Sequence, residues 1–417
     1  MMARFCAYVD KVFPFREHLL RLRDHRKQPV ISTATVFLAA FLMFASHRPS
    51  LNALQPDLRI PARLRRLVGR RVPSVDTVAG VFGLMGPDPL RDWLAAVAGR
   101  LKRNKALATA SGYYVAAVDG HELFSSRKRC CPQCMTRTRT VRGAQVTEYY
   151  HRIVACHLIG HHIALPLDAE LIQPGEGEET AAKRLLERVC ARYGRFFDVI
   201  SGDALYFDAP FLKFCRSQHK HPLVVVKGEG RLLLEDAAAV FAQQAPGEWT
   251  VERGRVHRTV QYWDVEGFTS CEGFDEPLRV LHTRETTRRR ERVAGQWQET
   301  EVESTWYWAT TLTQRQMPTQ QLWKAAHQRW DIENDCFNTL STHWGLDHCF
   351  RHDATAILNF VLTLFLAYVL LQCFWSRNLK PAARSRWPTL IGLAEELART
   401  LVEASPVPWL TPLPQPP

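Results

Sequence analysis

The run Tyr113-Tyr114-Val115-Ala116-Ala117-Val118, followed at once by Asp119-Gly120-His121-Glu122, decides the fold class. Six apolar or aromatic residues closed by Asp-Gly are too few for a helix and read as a buried strand. The pattern recurs at Phe196 to Ile200, which runs through Ser201-Gly202 into Asp203. Tyr149 to Ile159, Ile163 to Leu167 and Leu223 to Val226 read as further strands. Between them Thr180 to Tyr193 has Ala182, Leu185, Leu186 and Val189 on one helical face, and Phe211 to Cys215 also fits a helix. Strands alternating with helices predict an α/β core with some parallel pairing.

Outward from this core the pattern changes twice. Residues 1–108 read as an all-helical module. It includes the apolar segment Val36 to Ala45, a basic stretch with Arg63, Arg65, Arg66, Arg70 and Arg71, and a helix start capped by Ser74 or Asp76. Residues 109–227 form the first part of the core, with a basic, Cys-containing loop at 125–147. Residues 228–311 are rich in Val, Thr, Tyr and Trp and predict a β-rich insertion. Helix returns in 312–376, first over Thr319 to Trp344, then over Ala354 to Trp375. The tail, 377–417, ends in a Pro-rich stretch. Ala354 to Ser376 holds 23 residues without a charge, long enough to span a bilayer, but Asn359, Thr363 and Gln372 dilute it. It is expected to be a buried core helix with no membrane partner.

The 417 residues are 46% apolar, which excludes wholesale disorder. Lys and Arg number 54 against 42 Asp and Glu, a net charge of +12 that favours an anionic partner such as nucleic acid. The eleven cysteines are scattered, unlike a disulfide scaffold. Charges at Arg4, Asp10, Lys11 and Arg16 leave no apolar leader between them, so a reducing, cytoplasmic location is expected.

Three acids stand out by position. Asp119 and Asp203 close two apolar runs, and acids at the ends of neighbouring strands face the edge of an α/β sheet where ligands bind. Wound at 100° per residue, Trp323, Ala326, Trp330, Phe337, Leu340 and Trp344 form one stripe with Glu333 inside it, while Asp331 and Asp335 point away. A carboxylate on an apolar face is costly unless paired, for instance with Arg329, or bound to metal. Oxygen ligands of this kind suit two Mg²⁺ or Mn²⁺ ions acting on a phosphodiester.

The segments Val118-Asp119-Gly120-His121-Glu122, Ile200-Ser201-Gly202-Asp203-Ala204 and Arg329-Trp330-Asp331-Ile332-Glu333-Asn334 resemble the three acid motifs of bacterial insertion-sequence DDE transposases. The resemblance is to the cut-and-paste, hairpin-forming group. It implies a ribonuclease H-like core interrupted by a β-rich insertion between the second Asp and the Glu. It also implies Asp119, Asp203 and Glu333 as catalytic metal ligands and Arg329 as a phosphate contact. The implied reaction cleaves phosphodiesters at element ends and joins the freed 3′-OH to target DNA. The partner would be double-stranded DNA, with a homodimer open in that complex and a nucleoid-associated location. The group's signature places Tyr seven residues before the Glu and Lys seven after it; here those places hold Ala326 and Leu340. His343 or Lys227 could supply the missing DNA contact. Arg288, Arg289 and Arg290 in the insertion are further candidates for DNA backbone.

Cys131 and Cys134 form a Cys-x₂-Cys pair, half of a structural zinc site that His151, Cys156 or His157 could complete. A metal-free loop is the alternative. Two other functions stay open: a metal-dependent nuclease on the same fold, and a decayed or domesticated relative that binds DNA without catalysis.

Overall fold

The computed structural model describes residues 1–59, 68, 71–128, 130–228, 232–293 and 296–401. Arg63, Arg65, Arg66, Arg70 and the Pro-rich end lie outside the described residues. Among the described residues six helices come first: α1 (Met2–Val12), α2 (Phe15–Arg21), α3 (Thr33–Ala45), α4 (Leu51–Arg59), α5 (Val75–Phe82) and α6 (Asp88–Arg103). Strands β1 (Val115–Ser126), β2 (Met135–Val141), β3 (Ala144–Leu158) and β4 (Leu165–Leu171) lead to α7 (Glu178–Tyr193). Then come β5 (Val199–Gly202), α8 (Ala209–Ser217), β6 (His221–Val225) and α9 (Leu232–Phe241). Four strands follow, the last three long: β7 (Gly247–Arg253), β8 (Val256–Phe268), β9 (Leu278–Val293) and β10 (Gln296–Thr310). Helices α10 (Thr319–His327), α11 (Thr339–Trp344), α12 (Ala354–Cys373), α13 (Pro381–Arg386) and α14 (Leu390–Thr400) close the described chain.

Two compact units share these elements. The first holds Met1–Ala108, Asp119–Gly194 and the chain from Asp331 onward; the second holds Thr109–Val118 and Arg195–Trp330.

The first unit is built around α12. Every side chain from Ala356 to Cys373 is buried, so the one described helix long and apolar enough to cross a membrane is a core helix. Asp353 starts it, its carboxylate accepting from the Ala356 amide at 2.9 Å. Helices α3, α5 and α6 and strand β4 cover it. Phe82 of α5 stacks on Phe360 at 4.2 Å. The three polar residues that dilute the helix all find partners. Asn359 donates at 2.8 Å to the carbonyls of Phe82 and Met85. Thr363 donates to the Asn359 carbonyl one turn back at 2.7 Å. Gln372 pairs like a peptide with Ala164, accepting from its amide at 2.8 Å and donating to its carbonyl at 3.0 Å. Ser74, rather than Asp76, caps α5 through the Thr77 amide.

In the first unit the strands run in the order β2-β3-β1, with β4 on β3. In the second the order is β1-β5-β6-β10-β9-β8-β7. Strand β1 is parallel to β5, and β5 to β6; the remaining neighbours in this unit are antiparallel. This is the α/β succession that the sequence predicts, and β7 to β10 fall in the stretch 228–311 expected to be β-rich.

Four details differ from expectation. Strand β1 does not stop at Asp119 but runs on to Ser126, and it is hydrogen-bonded to β3 as well as to β5. The basic stretch 125–147 is largely a hairpin of β2 and β3, not a loop. The insertion opens with a helix, α9, before its strands. The helix expected over Thr319 to Trp344 breaks into α10, a 3₁₀ turn at Gln328–Trp330, a π-helical stretch at Ile332–Asn338, and α11. Each change of turn width shifts the angular phase. The single 100° stripe therefore does not survive: Ala326, Phe337, Leu340 and Trp344 are buried, whereas Trp330 is exposed.

In the second unit Glu285 of β9 anchors α10. Its Oε1 accepts from Trp323 at 2.8 Å and Thr283 at 2.9 Å and lies 2.8 Å from His327 Nε2; Arg258 approaches its other oxygen at 3.3 Å. Burial alone would raise the Glu285 pKa, but the hydrogen bonds from His327, Trp323 and Thr283 outweigh it and lower the pKa.

Two outcomes follow from this packing. Asn359→Ala strips donors from two buried carbonyls and should cost about 1–3 kcal/mol in urea unfolding. A carboxylate with a lowered folded pKa contributes stability above its unfolded pKa and loses it as pH falls. Acid unfolding of Glu285→Gln should therefore be less steep with pH than that of the wild type, which a pH series of melting curves checks.

Candidate active site

Asp119 and Asp203 each stand two residues past the last parallel pair of β1 and β5, Ala117 with Ser201. Both are half-buried. One oxygen of Asp119 accepts from the Gly120 amide at 2.9 Å, and one oxygen of Asp203 accepts from the Leu205 amide at 2.9 Å. Each carboxylate is thus oriented by its own local backbone.

The glycine in each motif has a steric reason. A Cβ on Gly120 would stand 2.1 Å from the Glu178 carboxylate, which Arg152 holds at 2.5 Å. A Cβ on Gly202 would stand 2.8 Å from the ring of Tyr206, a fully buried side chain.

Glu333 lies in the π-helical stretch and is half-buried. The wide turn is supported by Thr339, whose hydroxyl donates to the Asn334 carbonyl at 2.8 Å. π-Helical turns often occur at functional sites. In the first unit this stretch lies against β1. The His121 ring stacks on Phe337 with centroids 4.6 Å apart and planes 16° apart. His121 Nε2 is 2.7 Å from Asp347, which also accepts from Ser341 at 2.7 Å. His121 is two residues beyond Asp119 on a strand, the same face, and Phe337 is four residues beyond Glu333. The contact therefore holds the strand of Asp119 beside the segment of Glu333. Asp331 accepts from the Gly160 amide at 2.8 Å, and burial raises its pKa and that of Asp335.

The candidate cations differ in accessibility. Arg329 is 5% exposed, its guanidinium 4.5 Å over the Trp330 ring. Lys227 is exposed, with its ammonium 5.7 Å from the Trp306 ring centre, in a groove floored by Val225, Thr305 and Tyr307. Arg288, Arg289 and Arg290 are exposed on β9, near its turn into β10. Arg288 pairs with Glu301 at 2.7 Å, and Arg290 lies over Trp297. The basic hairpin is partly neutralised, since Arg127, Arg137 and Arg139 all pair with Glu148, and Arg137 also with Glu122. Ala326 and Leu340, in the signature's Tyr and Lys places, are buried, and His343 is exposed.

A second constellation lies in the first unit. One donor atom from each of Cys131, Cys134, His151 and His352 falls within 4.8 Å of the other three. Cys156 and His157, the other partners considered from sequence, are not among them. Burial and the neighbouring His352 push the His151 pKa down to about 4, so the ring is neutral at pH 7.

Residues 110–370 match the model of the transposase DDE domain. The chain belongs to the transposase DDE-domain family. The matched span contains Asp119, Asp203, Glu333 and all four Cys and His residues of the second constellation. No curated protein matches the sequence. Among solved structures, this DDE-domain chain is similar to piggyBac transposase in a cryo-EM synaptic complex with hairpin DNA. Sequence identity is 11%, the alignment covers 95% of this chain and 78% of that one, and the TM-score is 0.40.

Sequence reasoning missed Glu178, Asp347 and His352. Glu178 opens an ordinary amphipathic helix, and Asp347 follows a short one. His352 is 218 residues from Cys134, beyond any local spacing rule; its only sequence cue is its place just before an uncharged helix.

Gly202→Ala should destabilise the protein by about 1–3 kcal/mol, because the Tyr206 ring has nowhere to retreat. Thermal unfolding measures this, and an unchanged melting temperature would contradict the packing.

Proposed function

We propose that this chain is a DNA transposase that frees a 3′-OH at transposable-element ends and joins it to target DNA. The observation that carries the reading is the DDE-domain match across all three acids, taken with the His121–Phe337 stack beside two of them. Three half-buried carboxylates offer oxygen donors only, a set that fits Mg²⁺ or Mn²⁺ rather than a softer ion. Asp119, Asp203 and Glu333 would hold the ions. When bound, two such ions activate the attacking oxygen and stabilise the leaving oxygen of an in-line phosphoryl displacement.

The protein's own contribution is orientation. The Gly120 and Leu205 amides fix the two aspartates, and the His121 stack fixes the segment of Glu333. Preorganised charge of this kind costs no rearrangement during reaction. Lys227, Arg288, Arg289 and Arg290 are the accessible cations for DNA backbone. Arg329, being buried against Trp330, would reach a phosphate only at the edge of its guanidinium. The N-terminal helices would contribute to DNA binding, with a homodimer assembling on the element ends at the nucleoid. A DNA-binding relative without catalysis is the second reading, favoured by the buried Ala326 and Leu340 in the places of the signature Tyr and Lys.

Asp119→Asn, Asp203→Asn and Glu333→Gln should each abolish Mg²⁺-dependent cleavage of an end-containing duplex and leave DNA binding intact. Residual activity within about tenfold of wild type, only about 1.4 kcal/mol of barrier, would remove the assignment. A plasmid-joining assay separates a transposase from a nuclease.

Binding should also weaken with salt. If six to eight phosphates are engaged, log affinity falls against log salt with a slope of about −5 to −7. Replacing Arg288, Arg289 and Arg290 by Ala should make that slope shallower by about 1 to 3, the lower figure reflecting competition from Glu301. A flat slope in the wild type would dismiss DNA as the main partner.

A further inference from the structure

The turn Cys131-Pro132-Gln133-Cys134 leads directly into β2. It is closed by the Cys134 amide donating to the Cys131 carbonyl at 3.1 Å. The Cys131 amide donates to the Cys134 sulfur at 3.2 Å, the kind of contact that stabilises a thiolate. His151 comes from β3, opposite the same hairpin, and His352 from the turn just before α12. The two sulfurs are 3.7 Å apart. His151 Nε2 is 3.3 Å from each sulfur, and His352 Nε2 is 3.0 Å from Cys134.

A sulfur separation of this size is far beyond the roughly 2.05 Å of a disulfide. It fits the edge of a tetrahedron instead. Metal–sulfur bonds of about 2.3 Å and metal–nitrogen bonds of about 2.0–2.1 Å give edges of about 3.8 Å between sulfurs and about 3.6 Å between sulfur and nitrogen. Phe124 covers the cluster, its ring 5.7 Å from His151 and 5.6 Å from His352. Two thiolates, two neutral imidazoles and one divalent ion make a neutral centre, the least costly to bury. Borderline-soft donors in tetrahedral array select Zn²⁺.

We infer that Cys131, Cys134, His151 and His352 bind one structural Zn²⁺, which staples the β2–β3 hairpin and the turn leading into it to the turn before α12. The staple joins residues 201 positions apart, from His151 to His352, so it removes much chain freedom. Strand β3 of the hairpin neighbours β1, the strand of Asp119, and the turn follows the segment of Glu333. The metal is therefore a positioning element for that segment; its importance for catalysis rests on the proposed role of Glu333, but its binding does not.

The full chain, purified without an affinity tag, should carry about one zinc per molecule by elemental analysis. Metal-free protein titrated with Co²⁺ should show the intense visible bands of tetrahedral cobalt and a thiolate-to-cobalt charge-transfer band. Cys134→Ser should lose that band, and His352→Ala should lose at least tenfold in metal affinity. His352→Cys, which restores a fourth ligand, should bind again. Cys130→Ser, altering the neighbouring exposed cysteine, should behave as wild type. Wild-type protein that holds no zinc and gives no charge-transfer band with Co²⁺ would overturn the site, as would loss of the band in Cys130→Ser. Hydrogen exchange on the wild type tests the staple without DNA or cleavage. Chelation should speed exchange both in Met135–Val141 and in Ile332–Trp344. Faster exchange confined to the Cys turn would overturn the positioning role while leaving the metal site standing.

Discussion

A twenty-residue helix without a charged side chain has to be covered on every side, and α12 sets this requirement for the first unit. One face of a sheet cannot meet it, so α3, α5 and α6 from the N-terminal end supply the rest of the cover. Each fully buried Leu, Ile or Phe contributes about 1.5–3 kcal/mol relative to exposure, which makes this packing the dominant favourable term in the unit. The same helix carries function-related geometry outward. Tyr368 lies at 5.3 Å from Trp344 of α11, and its hydroxyl donates to the Asp335 carbonyl at 3.4 Å. The segment of Glu333 thus inherits its position from a hydrophobic contact several turns away.

What the sequence made legible follows from how local each signal was. Short apolar runs closed by Asp-Gly or Gly-Asp were enough to find β1 and β5, because a buried strand needs only a few consecutive apolar residues. The 3.6-residue period found α7, and a long uncharged run found α12. The break of the helix around Glu333 was not legible. Arg329 to Asn338 has no Pro or Gly to announce it; the wide turn depends on the Thr339 hydroxyl and on packing from distant elements. Nor could strand β1 be followed past Asp119, since Gly120-His121-Glu122 interrupts its apolar run and its pairing with β3 is set by the tertiary fold. His352 illustrates the limit most plainly, being brought to the cysteines only by the tertiary fold.

The candidate site shows why the motif glycines accompany the acids. Gly120 makes room for a carboxylate and Gly202 for a buried phenol ring, so each Asp sits where neighbouring groups crowd the backbone. Charge counts alone were a weaker guide. A basic hairpin that looks like a DNA contact in sequence spends three of its arginines on Glu148 and one of these also on Glu122. Net charge of +12 speaks of the long-range field; the accessible cations that remain decide where a phosphate could be met.

Among the described residues strand β7 ends the sheet of the second unit, pairing with β8 on one side only. A strand in that position shows a row of unpaired peptide groups, which invites another chain to add to it. Here the border is short and studded with Glu248, Glu252 and Arg253, all exposed, while Trp249 and Val251 are drawn partly inward. An incoming strand would have to desolvate these charges to extend the sheet. The three long strands β8 to β10 can therefore end on a short charged border without offering a template for fibre growth.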